Sequence, residues 1–222
     1  MKRTTLHARS FCRPSWRNRR IAMHFLKIQR TVGFTLVELM VAMGIGMVML
    51  AAVTTTFMSQ TRFYSAQEQI NEMEQSARGA LDIMAREIKM AGYDPTVVGF
   101  TEISTFTSSQ LTVQADLDGS GDITNSSTAN EQIAYAYDSA NKRITRAVGN
   151  GSAEVLAENI DSFDFTYYEA DGVTTATTSS EIRQVKVNIT AKTAKPDPNY
   201  TSNGGYKTYN LSTTITPINL AL

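Results

Sequence analysis

From Phe34 to Phe57 the chain runs 24 residues with one charged side chain, Glu38. As an α-helix this run is long enough to cross a bilayer core of about 30 Å, which takes about 20 apolar residues. A segment so apolar must lie in lipid or against other helices, and that requirement constrains everything attached to it. A lone carboxylate within it costs about 2.5–3.5 kcal/mol at mid-membrane and therefore marks a functional position. Glu38 stands four residues past Phe34, about 6 Å along a helix axis. Were the chain cut after Gly33, the new α-amine of Phe34 would lie close to this carboxylate. The arrangement reads as a processed helix N-terminus with a carboxylate beside it.

The flank supports that reading. Residues 1–33 hold nine Lys/Arg and no Asp or Glu, so this side is expected to stay cytoplasmic and the chain beyond Phe57 to face the opposite side. A secretory signal would have an apolar region of about 7–15 residues followed by a small-x-small cut site; here the run is longer and the cut signal precedes it. Met23 opens a compact basic leader of its own, Met23 to Gly33, with residues 1–22 as an extension. The stretch Gly33-Phe34-Thr35-Leu36-Val37-Glu38-Leu39-Met40-Val41-Ala42 resembles the cleavage and methylation motif of type IV prepilins and type II secretion pseudopilins. The resemblance implies that a prepilin peptidase/methyltransferase cuts after Gly33 and methylates the amine of Phe34. It also implies that Glu38 helps dock the subunit into a helical filament, beside other pilins and through an inner-membrane assembly platform. The plainer alternative is an uncleaved signal anchor.

Loss of the leader changes the bulk chemistry. The whole chain is balanced at 21 basic and 21 acidic side chains, but without the leader 12 basic groups face 21 acidic ones, a net of −9. An acidic exported domain is poorly suited to phosphate backbones, so nucleic acid is not expected as a partner. Cys12, His7 and His24 all precede Phe34. The processed chain thus lacks residues for a disulfide, a thiol nucleophile, a histidine-based triad or a usual zinc site. This argues against an enzyme and leaves core packing, or a bound ion, to hold the exported part together.

Beyond Phe57 the helical period continues. Phe63, Ile70, Met73, Ala77, Leu81, Met84, Ile88 and Ala91 recur at mostly three- and four-residue steps, with Glu68, Glu72, Glu74, Arg78, Arg86 and Lys89 off the stripe. One helix from Phe34 to Ala91 is expected, closed by Gly92 and stopped by Pro95, its apolar face laid on the chain's own head. From Tyr93 the composition turns to Thr, Ser, Tyr, Val, Gly and Asn. Period-two alternation predicts strands at Leu111–Ala115, Ile133–Tyr137, Ile144–Val148, Phe163–Tyr167, Val185–Ile189 and Tyr209–Ile215. Turns are expected at Asp138–Arg143 and Asp171-Gly172, and an exposed loop at Lys195–Gly205. The fold class is then α+β: a long N-terminal helix, transmembrane and then amphipathic, packed on an antiparallel β-sheet head, similar to type IV pilins. The expected divisions are a leader at 1–33, a transmembrane or filament-core helix at 34–57, its amphipathic continuation at 58–91 and an exported head at 92–222. Leu156-Ala-Glu-Asn-Ile160, Phe163-Asp-Phe-Thr-Tyr-Tyr168 and the closing Tyr209–Leu220 stretch resemble minor pilins of the PilW type. The J-type pseudopilins share this broad plan.

The head holds one site-like motif, Asp116-Leu-Asp118-Gly119-Ser120-Gly121-Asp122-Ile123. Oxygen ligands at alternate positions, a glycine for the turn and a following apolar residue match the first half of an EF-hand-type calcium loop. Ser127 stands at the twelfth place instead of a bidentate glutamate, and Glu131 is the candidate to close the site. The expected calcium ligands are Asp116, Asp118, Ser120, Asp122 and Glu131. A solvated Asp/Gly turn is the competing reading. Function is expected to be structural: a minor pilin of a type IV pilus, held in the inner membrane and then assembled at the cell surface. The rivals are a type II secretion pseudopilin and, from another class, a membrane-anchored calcium-dependent binding module.

Overall fold

The computed structural model describes residues 33–123 and 131–220. The leader, with the Met23 start, Cys12 and both histidines, lies outside the described residues, as does Ser127. Helix α1 spans Leu36–Lys89 without a break. Eight strands follow: β1 (Ile103–Phe106), β2 (Gln110–Gln114), β3 (Gln132–Asp138), β4 (Arg143–Val148), β5 (Glu154–Glu158), β6 (Ile160–Tyr168), β7 (Gln184–Lys192) and β8 (Thr208–Ile215). They form two antiparallel meanders, a five-stranded sheet β1-β2-β3-β4-β5 and a three-stranded sheet β6-β7-β8.

The chain divides into two compact units, Met1–Ala52 and Val53–Leu222. In the second, the amphipathic part of α1 packs on the sheets through Met73, Ala77, Ala80, Met84 and Ile88, all buried. Ala77, Ala80, Met84 and Ile88 join buried Leu111, Ile144, Val187 and Ile189 in one hydrophobic core. Phe63 departs from expectation: placed on the buried stripe by its spacing, it is 69% exposed. From the head, polar loop residues Asp197, Asn199 and Lys207 line a groove beside it without covering it, and the hydrophobic core along the helix begins only near Ile70.

The end of α1 is also built differently from the expected glycine cap. Gly92 does take a left-handed φ of 79°, but its N–H donates across to the Gln114 carbonyl at 2.9 Å. The carbonyls of the last turn are met partly by the helix's own tightened end, Met90 N–H to Glu87 O at 3.1 Å and Ala91 N–H to Ile88 O at 3.2 Å, and partly by the C-terminal segment, where Ile218 N–H donates to Lys89 O at 3.1 Å. The Asn219 amide reaches the carbonyls of Met90 and Ala91, both at 3.4 Å.

All six expected strands form, within a few residues of their expected ends. β1 and β5 were not expected. Both are the outer strands of the larger sheet; at four and five residues they are short, as edge strands tend to be. The chain passes from the larger sheet to the smaller at one residue, Asn159, which separates β5 from β6 with φ 58°. Its carbonyl accepts the Lys192 N–H at 2.8 Å, holding the corner to β7. Asparagine tolerates this region and a β-branched residue does not. Asn159→Val should therefore lower the unfolding free energy of the chain in detergent by about 2 kcal/mol, whereas Asn159→Gly stays within about 1 kcal/mol; urea titration followed by tyrosine fluorescence measures both.

The helix and the larger sheet share a half-buried ionic cluster. Glu87 of α1 receives Arg146 of β4 in a two-pronged contact, Nε to Oε2 at 3.0 Å and Nη2 to Oε1 at 2.7 Å. The Tyr135 hydroxyl of β3 donates to the same carboxylate. Burial, then the hydrogen bond to Glu87, pushes the Tyr135 phenol up, so it remains a donor. The Glu87 hydrogen bond likewise raises Arg146 above its ordinary value.

Candidate functional site

Two places in the structure carry the candidate residues. The first is the start of α1. Thr35 is its N-cap: its carbonyl takes the Leu39 N–H at 3.1 Å, the first helical hydrogen bond. Its hydroxyl oxygen accepts the Glu38 N–H at 3.2 Å. In return Glu38 Oε2 accepts both the Thr35 N–H and the Thr35 hydroxyl, each at 3.2 Å. This reciprocal pattern is a capping box, which satisfies donors left open at a helix start. Glu38 is thus folded back toward the residue that follows Phe34. Thr35 was not among the expected site residues, although threonine three places before glutamate at the head of an apolar run is its sequence signature.

Gly33 and Phe34 precede the helix, and Phe34 is 87% exposed. A Cβ placed on Gly33 would meet nothing within 4 Å, and Gly33 does not hold a left-handed φ. The fold itself therefore makes no demand for glycine there. From Gly33 through Ser65 every residue is exposed, and α1 contains a window of mean hydropathy 2.3 of which none is buried. By length and composition this helix is long and apolar enough to cross a membrane, and its apolar surface is uncovered by the rest of the described chain.

The second place is the loop between β2 and β3. Ala115 N–H donates to Glu131 O at 2.8 Å, so the two ends of the loop are paired. Asp116 and Glu131 are buried there, at 0% and 1% exposure, and Asp118 is exposed at the surface. One carboxylate oxygen from each of the three lies within 4.8 Å of the others. Asp116 Oδ1 accepts the Gly119 N–H at 2.8 Å; its Oδ2 accepts the Thr96 hydroxyl at 2.8 Å and the Gly121 N–H at 3.1 Å. Asp118 Oδ1 accepts the Ser120 N–H at 2.8 Å, and hydrogen bonding from Ser120 holds this carboxyl below its ordinary value. Ser120 Oγ accepts the Asp122 N–H at 3.2 Å. Of the expected ligands, the structure gathers the carboxylates of Asp116, Asp118 and Glu131, while Ser120 and Asp122 shape the turn beside them.

Residues 66–216 match the family model of prepilin peptidase-dependent protein B, and residues 33–54 match the prokaryotic N-terminal methylation motif. The chain belongs to the prepilin peptidase-dependent protein B family. The two matches fall on the two parts described above: the methylation motif begins at Gly33 and takes in Thr35 and Glu38, and the family match takes in the amphipathic half of α1 and the head. The chain is therefore a prepilin peptidase-dependent, type IV pilin-like protein, of a structural and non-enzymatic kind. A type IV-like pilin from Thermus thermophilus is similar at 13% identity, over 67% of this chain and 98% of that one, with a TM-score of 0.43. No curated protein matches the sequence.

Proposed function

We propose that the chain is a minor pilin of the PilW type, made as a precursor, cut after Gly33, methylated on Phe34 and assembled into a type IV pilus. The observation that carries this reading is the exposed apolar half of α1, which begins with a carboxylate held beside the processing point. In this reading residues 1–33 are the leader, 34–57 the transmembrane and filament-core helix, 58–91 its amphipathic continuation and 92–222 the exported head. The precursor sits in the inner membrane as a single pass with its head exported. The assembly platform then moves it into the filament, where lipid contacts are exchanged for contacts with other pilins.

Such an exchange is nearly neutral in apolar surface, because lipid tails and neighbouring helices are similar solvents. Register must then come from polar contacts. Glu38 is satisfied within its own chain by Thr35 before assembly. In the filament it is offered a stronger, charge-assisted partner in an α-amine, its own or a neighbour's. Glu38→Ala is expected to be cut and inserted normally, yet its recovery in sheared pili should fall several-fold. The loss is partial because neighbouring subunits keep their own carboxylates. Recovery equal to that of the unaltered chain would sink the docking role. Recovery only from inner membrane, in cells that make pili, would sink the pilin reading and favour the binding-module alternative. Dependence of protein secretion, but not of pili, on this chain would assign it to the J-type pseudopilins.

A further inference from the structure

We propose that the β2–β3 loop binds one calcium ion, held by the carboxylates of Asp116, Asp118 and Glu131. The decisive group is Glu131. It is 1% exposed, and its Oε2 is fully buried with no hydrogen-bond partner. Its Oε1 is fully engaged, accepting the N–H groups of Leu117 at 3.1 Å and Asp118 at 3.0 Å. A carboxylate oxygen has two lone-pair sites, so the two backbone donors occupy Oε1 and leave Oε2 without a partner. A buried, unpaired carboxylate oxygen is strongly disfavoured. Two further carboxylates within 4.8 Å add repulsion. A cation among them removes both costs at once.

The donors select the ion. All three are carboxylate oxygens, with no nitrogen or sulfur in the group, which suits a hard cation. Asp116 keeps one lone-pair site, on Oδ1, beyond those used by Gly119, Thr96 and Gly121. Asp118 opens to solvent, where water can complete the shell. An irregular set, part protein and part water, fits calcium with its six to eight flexible ligands better than magnesium with its strict octahedron. The spacing agrees: Asp116, Asp118 and Ser120 occupy the first, third and fifth places, and Gly121 turns the chain at the sixth with φ 75°. A Cβ on Gly121 would come within 2.8 Å of the Val98 side chain. The departure from an EF-hand is Glu131, which closes the cluster from the start of β3 and, with Oε1 engaged, binds through one oxygen. A one-oxygen closure points to the weak end of calcium affinities, about 10⁻⁴–10⁻³ M, as in extracellular modules.

The site has a structural consequence. Asp116 N–H donates to Tyr93 O at 2.7 Å and its Oδ2 accepts from Thr96, so the cluster is tied to the turn that leaves α1 as well as to β2 and β3. Calcium would fasten this corner in a head that has no disulfide to do so.

The test uses the full chain purified in detergent, with calcium chloride, magnesium chloride or EDTA as the additions. Calorimetry should find one calcium site per chain. At a hundredfold excess over Kd the melting temperature should rise by about 5–10 °C over the EDTA sample. Asp118→Asn, at an exposed position that the core does not need, should weaken calcium binding at least tenfold without lowering the melting temperature in EDTA. Glu131→Gln should abolish binding and melt in EDTA at or above the unaltered chain, since it removes buried charge; if it fails to fold, Asp118→Asn decides alone. No binding heat and equal melting in calcium and EDTA would overturn the site. An equal response to magnesium would overturn the assignment to calcium, and full calcium binding by Asp118→Asn would overturn the ligand set.

Discussion

Gly33→Val is expected to leave the whole chain uncut, so that a single heavier species stays in the membrane fraction and none reaches sheared filaments. The expectation rests on where the need for glycine lies. A Cβ at position 33 meets open space and the φ there is not left-handed, so valine costs the fold nothing. Position 33 is also outside α1 and outside the capping contacts of Thr35 and Glu38. What valine changes is access: a β-branched side chain stiffens the backbone and adds bulk at the bond to be cut, where glycine leaves it unobstructed. Gly33→Ala, with less bulk, should be cut slowly and show both species. An immunoblot against the head, with N-terminal sequencing of the smaller band, reads the result. A fully processed Gly33→Val chain, beginning at Phe34, would remove Gly33 from the processing site. Because Glu38→Ala is expected to be processed normally, the pair separates a failure to cut from a failure to dock.

How much of this was legible in the sequence depended on whether the signal was local. The apolar run and the lone Glu38 are read directly, because a membrane-length segment is a one-dimensional property. The strands with a buried face and a wet face announced themselves by alternation: β7 alternates half-buried and buried residues from Gln184 to Lys192 without a break. β1 and β5 did not, because an edge strand of four or five residues has too little buried surface to impose a pattern. The stripe on α1 gave the correct face but not where burial starts. Phe63 has the right phase but stays exposed beside the polar loop residues Asp197, Asn199 and Lys207, since phase depends on the helix and burial on what the head sets against it. At the loop, Asp116 and Asp118 were visible as a motif. The isolation of Glu131 Oε2 was not, because it follows from the loop backbone at Leu117 and Asp118 folding onto the other oxygen. Thr35 is the opposite case, a local signature in plain view. Least visible was the Glu87–Arg146–Tyr135 cluster, whose members are far apart in sequence, and nothing in the spacing of any one of them points to the others.

That cluster is where the largest loss of stability is expected. Arg146→Met should lower the unfolding free energy by about 2–4 kcal/mol, somewhat below the range for fully buried pairs because each partner keeps 21% exposure. The cost comes less from the lost attraction than from what remains: Glu87, desolvated between helix and sheet, with Tyr135 as its one remaining donor in the cluster. Glu87→Leu should cost a similar amount, leaving the Arg146 guanidinium and the buried Tyr135 hydroxyl without their shared acceptor. The effects should not add. The double change Glu87→Leu with Arg146→Met removes both charges and should cost less than either single change, and adding Tyr135→Phe should recover most of the remainder. Urea titration of the five proteins in detergent measures the cycle. Single changes that each cost under about 0.5 kcal/mol and simply add would show that the pair contributes nothing beyond its surface. The comparison also bears on assembly, because the two-pronged Arg–Glu contact plus a phenol adds to the Arg78–Tyr209, Gln69–Lys195 and Lys89–Ile218 hydrogen bonds that orient α1 on the head. The triple apolar variant should therefore melt near the unaltered chain and, with those other contacts intact, enter filaments with at most a modest loss.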